Sequence, residues 1–164
     1  MITYQKGDLI ALAKQGAFDV VVHGCNCFCR MKRGIAPQMA KAFGCDHFPL
    51  ETVAFEGDKT KLGQIDYQSV ILPSGKELIA VNAYTQYHWT EPGPFGIPLD
   101  YDALQSCFAK INDAFSGKKV GIPKIGAGLA GGDWTRIEEI LKEVCRELEE
   151  LIVVEYIENN KKDE

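Results

Sequence analysis

Residues 126–133 read GAGLAGGD, which places Gly126, Gly128, Gly131 and Gly132 within seven positions. The segment before them, residues 119–123, is short, β-prone and closed by Pro123. After them, Ile137, Ile140, Leu141, Val144 and Leu148 recur at helical spacing, which predicts a helix over residues 134–148 with Asp133 as its N-cap. The glycines therefore sit on a strand-to-helix turn. Such a turn lets the backbone approach a ligand closely and aim N–H groups at an anion. A phosphate loop in an α/β domain is the first reading. Gly126, Gly128 and Gly131 also spell GxGxxG, with Glu155 beyond a further strand, in the manner of a dinucleotide fingerprint. Against that, the unit closes the domain instead of opening it, and the helix starts after Gly132. A plain flexible turn is the third reading.

Length and charge narrow the choice. With 164 residues the chain supports one domain with a real core, expected over residues 1–157, and a charged tail, residues 158–164, expected to be disordered. A net charge of −5 argues against broad nonspecific nucleic-acid binding but leaves room for a nucleotide-sized anion held by loop N–H groups. No apolar run is long enough to span a membrane, and no signal peptide is evident, so the expectation is a cytoplasmic monomer without membrane association. On the same grounds the six cysteines read as free thiols.

Along the chain, residues 2–6 read as a strand and Asp8 as the cap of a short helix over residues 9–14. Val20, Val21 and Val22 form an apolar run suited to a strand buried on both faces, ending in His23, Gly24, Cys25 and Asn26. A loop with Arg30, Lys32 and Arg33 leads to a helix over residues 35–43. Polar groups at a strand's carboxyl end are where open α/β sheets bind ligands. His23 suits a general acid or base, and equally a packed histidine bonded to backbone. Asn26, with a donor and an acceptor, suits sugar hydroxyls. Cys25, Cys27 and Cys29 alternate too closely for the usual zinc spacing, so no metal is expected. Nearby cations could activate one thiol, although packed thiols are the simpler reading. Residues 44–60 are polar and irregular, read as a short helix and a turn. Residues 64–72 and 77–84 predict an antiparallel hairpin turning at Pro73, Ser74 and Gly75. Residues 85–98 carry Tyr87, His88, Trp89 and Phe95 in a long loop of the kind that is often functional. Residues 99–115 predict a helix and residues 151–157 a last strand.

Two stretches together resemble the macro domain. One runs VVHGCN through Asn26 to Gly34, Ile35 and Ala36. The other runs IPKIGAGL through Leu129 to GGDW. Asp8 after Gly7, and Asn82 with Thr85 and Gln86, also match, so the resemblance covers nearly the whole chain. It is strongest to the branch holding ADP-ribose 1″-phosphate phosphatases, terminal ADP-ribose-glutamate hydrolases and DNA ADP-ribosylation antitoxins. The resemblance implies an α/β fold: a three-layer α/β/α sandwich with a mixed, largely parallel six-stranded sheet. It implies ADP-ribose binding without metal or cofactor. Asp8 and Leu9 would meet the adenine, bordered by Tyr156. Gly34, Ile35 and Ala36 would line one side of the diphosphate, and Ile125, Gly126, Ala127, Gly128 and Leu129 the other. Asn26 would meet the distal ribose, and Gln86 is a further ligand-binding position.

The departures bear on activity. Where the hydrolases and antitoxins carry a lysine after Thr85, this chain has Gln86; where they carry an acidic residue after Leu129, it has Ala130. Asp133, three residues later, would substitute only in a rearranged loop. His23 stands where the phosphatase-like members carry a histidine. The implied function is a phosphatase acting on ADP-ribose 1″-phosphate, with His23 and Asn26 catalytic and Lys32 or Arg33 stabilising charge. The alternatives are a noncatalytic ADP-ribose reader, a de-ADP-ribosylating hydrolase that lacks the usual lysine and aspartate, and, from GxGxxG alone, a dinucleotide-dependent oxidoreductase. ADP-ribosylated protein or nucleic acid is a further partner class.

Overall fold

A computed structural model describes residues 1–48 and 56–157. Six strands, β1 (Ile2–Gly7), β2 (Val20–Asn26), β3 (Ile65–Ile71), β4 (Glu77–Gln86), β5 (Lys119–Ile122) and β6 (Glu150–Tyr156), form one sheet in the order β1-β6-β5-β2-β4-β3. All neighbours pair in parallel except β3 and β4, which form the expected antiparallel hairpin. Helices α1 (Leu9–Lys14) and α2 (Ala36–Phe43) cover one face; α3 (Tyr101–Ala114) and α4 (Trp134–Val144) cover the other. The fold is thus an α/β/α sandwich.

Strand alternation explains how one sheet feeds two cores. Val20, Val22, Val81, Ala83, Val120, Ile122, Leu151 and Val153 point toward α3 and α4 and pack with Leu104, Phe108, Ile111, Ile137 and Leu141. Val21, Leu78, Ala80, Ile152 and Val154 point the other way, onto Leu9, Ile10, Met39 and Phe43. Central strands buried on both faces account for the continuous apolar runs.

Several boundaries differ from the sequence expectation, and three of the differences have a visible cause or consequence. The strand beginning at Val20 continues through Asn26, which takes His23 into the sheet. Helix α3 starts at Tyr101, because Asp100 accepts hydrogen bonds from the backbone N–H groups of Asp102 and Ala103 at 3.0 and 3.1 Å. Leu99 instead donates its N–H to Ala130 O at 3.1 Å. Helix α4 ends at Val144, not Leu148. There the Glu147 N–H bonds Asn112 Oδ1 at 2.8 Å and the Glu147 carbonyl accepts from Gly117 N at 2.8 Å, which draws the chain onto the loop after α3. Leu148 stays buried in the same core. The short helix expected within residues 44–60 falls partly on residues 49–55, and the expected tail on residues 158–164; both lie outside the described residues.

Candidate functional site: a cleft along the carboxyl edge of the sheet

Five parallel strands end on one edge of the sheet, and the segments that follow them build a cleft of about 400 Å³. Asn26 and Gln86 end β2 and β4 there; Gly34, Ile35, Ala36, Ile125, Gly126, Gly128 and Leu129 form its walls. A second recess of about 240 Å³ is lined by Asp8, Leu9, Gln38, Val154 and Tyr156. Gly34, Ile35 and Pro123 line both, so the two chambers adjoin along one groove. The structure brings together every expected ligand-binding residue except Ala127, which packs against the core below the loop.

The four glycines of the 126–133 turn have different causes. Gly126 and Gly131 have φ of 78°, a region that disfavours side chains. A β-carbon on Gly132 would lie 2.4 Å from Leu99 Cδ2, and one on Gly126 2.9 Å from Leu99 Cδ1. Packing over Leu99 therefore demands glycine at 126 and 132. Gly128 has neither constraint: nothing lies within 4 Å of where its β-carbon would be, and it faces the cleft. It is the glycine that leaves the backbone bare toward a ligand. Across the groove, Leu129, 64% exposed, reaches to 3.8 Å from a β-carbon placed on Gly34. The two loops meet over the middle of the groove.

The loop after β2 is shaped by Asn26. Its Oδ1 accepts from the N–H groups of Phe28 and Arg30 at 3.0 and 3.2 Å, and its Nδ2 donates to Arg30 O at 3.0 Å. Its amide is thus committed to the loop that it borders. Phe28 meets Tyr87, His88 and Trp89 edge-on, at centroid distances of 5.2, 5.2 and 5.4 Å. Trp89 stacks on His88 at 3.7 Å, with the Arg30 guanidinium 4.2 Å from the Trp89 ring. Trp89, Arg30, Lys32, Arg33 and Lys124 all line the larger chamber. An acidic protein thus lines its larger chamber with four cations, of which Arg30 pairs with Glu56 at 3.3 Å and Lys124 with Glu155, beside Tyr156, at 3.9 Å. Gln86 Nε2 donates to His88 O at 3.0 Å.

His23 is not where an acid–base role requires it. Its side chain is fully buried on the α2 face of the sheet, beside Asn82 of the neighbouring strand and away from the cleft lining. His23 Nε2 lies 2.6 Å from Asn82 Oδ1. Burial lowers its pKa to about 4, against the weaker opposing pull of the Asn82 hydrogen bond and the Asp66 charge. Asn82 in turn donates to Cys45 O and to Asp66 Oδ1, both at 3.0 Å. Asp66 Oδ2 accepts from Lys61 Nζ at 2.7 Å and from Tyr84 Oη at 2.8 Å. This is a satisfied polar network inside the fold, the kind that rigidifies a core. The physical reason for the correction is strand length: a β2 that continues to Asn26 turns His23 inward by alternation.

The other candidate chemical groups are similarly committed. Asp133 caps α4 by accepting from Thr135 N at 3.0 Å, while its own N–H bonds Tyr101 Oη at 2.9 Å. Asp8 caps α1 through Ala11 N at 3.0 Å and also lines the smaller recess. Cys25 borders the cleft, but burial pushes its thiol pKa well up. All six cysteines are free, and among the described residues no cluster of histidine, cysteine or acidic groups is arranged to hold a metal. Sequence reasoning did not single out Thr85, Pro123, Lys124 or Gln38 as lining residues. Alternation from Ala83 places Thr85 on the α3 side, and that signal was legible.

No protein-family model matches the chain. An uncharacterised 17.5 kDa protein of enterobacteria phage T4 is 35% identical over 161 residues, covering 93% of this chain and 96% of that protein. A DNA ADP-ribosyl glycohydrolase of Thermus aquaticus is 24% identical, covering 98% of this chain; the chain spans 43% of that protein's length. Among solved structures, the macrodomain of Thermus aquaticus DarG superposes with a TM-score of 0.67 at 19% identity, covering 96% of this chain and 98% of that one. Thermosipho africanus DarTG in complex with ADP-ribose gives a TM-score of 0.70 at 13% identity, covering 95% of this chain and 41% of that one. The chain thus belongs with the phage T4 protein, and its sheet order and paired loops are those of the macrodomain fold.

Proposed function

We propose that the protein binds ADP-ribose along the groove and acts on the form carrying a terminal phosphate, ADP-ribose 1″-phosphate. Adenine lies in the recess of Asp8, Leu9 and Tyr156. The diphosphate passes between residues 34–36 and 125–129. The distal ribose reaches Asn26 and Gln86. The observation that carries this reading is the cationic lining of the larger chamber, to which the loop after β2 contributes Arg30, Lys32 and Arg33, in a protein of net charge −5. Cations there suit a further phosphate. The Thermus relative's name and the Thermosipho complex support ADP-ribose as the common ligand.

In this reaction water attacks the terminal phosphorus and the bond from phosphorus to the 1″-oxygen breaks. ADP-ribose and inorganic phosphate leave. Lys32 and Arg33 stabilise charge on the transferring group, which is the main protein contribution to phosphoryl transfer. His23 supports the strand beneath and takes no proton.

A second reading is a noncatalytic ADP-ribose binder. Its support is the commitment of nearby groups: Gln86 to His88, Asn26 to its loop, Asp133 to a helix cap and His23 to Asn82. Phosphorus NMR with ADP-ribose 1″-phosphate separates the two. Growth of inorganic phosphate establishes the phosphatase. Shifted or broadened diphosphate signals without release establish the binder. No change in either signal ends the ADP-ribose reading.

A further inference from the structure

Thr85 sits near the end of β4, on the sheet face that carries Val81 and Ala83. It is 1% exposed, and its Oγ1 is the one buried side-chain nitrogen or oxygen without a hydrogen-bond partner among the described residues. A hydroxyl so placed has given up its bonds to water and received none in return, which folded proteins seldom tolerate without a purpose.

The surroundings of the hydroxyl indicate the purpose. A β-carbon on Gly24, the neighbouring residue of β2, would lie 3.0 Å from Thr85 Oγ1 and 3.3 Å from Ile125 Cγ1. Gly24 is not among the glycines with positive φ, so its backbone does not require glycine. What the missing side chain does is leave a notch between Thr85 and Ile125. Gly24, Thr85 and Ile125 all line the larger chamber, next to Asn26 and Gln86. The notch lies where β2 and β4 end, between the residues assigned to the distal ribose and the start of the loop at Ile125.

We propose that Thr85 is a specificity-determining residue whose hydroxyl is held unpaired for a hydroxyl of the ligand's distal ribose. The inference rests on the proposed binding of ADP-ribose. A threonine hydroxyl both donates and accepts, and so does a sugar hydroxyl, so the pair satisfies itself in either sense. A site built to bond a hydroxyl discriminates strongly against a ligand that lacks it. Thr85 then makes the groove prefer ADP-ribose over ADP, which carries the same adenosine and diphosphate without the distal sugar.

The test combines calorimetric titration of ADP-ribose and ADP with thermal unfolding of the ligand-free protein, for wild type, Thr85→Val and Thr85→Ser. Valine keeps the shape and removes the hydroxyl. The expected result is about tenfold weaker ADP-ribose binding by Thr85→Val, the loss of one ordinary hydrogen bond. ADP affinity should stay unchanged and the melting temperature should stay equal or rise. Thr85→Ser should restore the preference for ADP-ribose. Opposite signs for stability and affinity are what a merely structural threonine would not give. Unchanged ADP-ribose affinity in Thr85→Val overturns the inference, as does an equal loss for both ligands. A clearly lowered melting temperature overturns it too, because the hydroxyl would then be satisfied in the free protein. Failure of the wild type to bind ADP-ribose at all removes the proposed function and this inference together.

Discussion

His23 Nε2 donates to Asn82 Oδ1 across 2.6 Å, and the orientation of the Asn82 amide fixes the direction of that bond. Asn82 Nδ2 faces two acceptors, Cys45 O and Asp66 Oδ1, so its oxygen must be the atom turned to the imidazole. Nε2 therefore carries a proton, and burial keeps the ring neutral near pH 7. Burial lowers the pKa from 6.5 to about 4. Between those values the unfolded chain takes up a proton that the folded chain refuses. Stability is thus fully present above pH 6.5 and is lost as pH falls toward 4, by on the order of 3 kcal/mol for this group. Urea unfolding at pH 7 and pH 4 should show that loss in wild type, and a much smaller one in His23→Gln.

The same bond predicts how substitutions at position 23 divide. His23→Ala opens a cavity and orphans Asn82 Oδ1, at a cost of roughly 2–4 kcal/mol in stability. His23→Gln can still donate to that oxygen. Phosphate release from ADP-ribose 1″-phosphate, scored per folded molecule, should survive His23→Gln. A loss of turnover at unchanged stability would return the imidazole to the reaction.

Two glycines in the same turn should behave oppositely. Gly132→Ala forces a β-carbon into Leu99 and should destabilise the fold by about 2 kcal/mol or more, as overpacked substitutions do. Gly128→Ala meets open space and should leave the melting temperature within a few degrees of wild type. Its methyl would stand between ligand and backbone, so ADP-ribose affinity should fall by about tenfold or more. Thermal melts and titration calorimetry on the two variants check both halves.

Lys32 and Arg33 should determine how the terminal phosphate is read. Replacing both with alanine should lower affinity for ADP-ribose 1″-phosphate by about tenfold or more and leave ADP-ribose nearly unaffected, since the proposed pose sets these charges against the extra anion. Wild-type affinity for the phosphorylated ligand should also fall more steeply with added salt. Equal losses for both ligands would place these cations against the diphosphate instead.

Much of this was legible in the residues. Val20, Val21 and Val22 announce a two-faced strand, the glycine-rich turn before Trp134 announces a strand–loop–helix unit, and the Pro73–Gly75 turn announces the only antiparallel pair among the described strands. The position of His23 was not legible, because it depends on β2 continuing four residues beyond the valines, through polar and small residues with weak strand preference. The end of α4 was also hidden: apolar spacing runs on to Leu148, while the stop is made by Asn112 on another helix. Nor does local sequence say which glycines serve Leu99 and which serve a ligand. That distinction exists only once residues 99, 126 and 132 meet in space.

The hairpin between β3 and β4 turns at Ser74 and Gly75, and a β-carbon on Gly75 would touch nothing within 4 Å. Since β4 runs parallel to its neighbour β2, this turn lies at the edge of the sheet opposite the cleft. It is the place to attach a dye, a tether or a fused reporter. A protein anchored there to a sensor surface would present its groove outward, with every ligand-facing loop unencumbered.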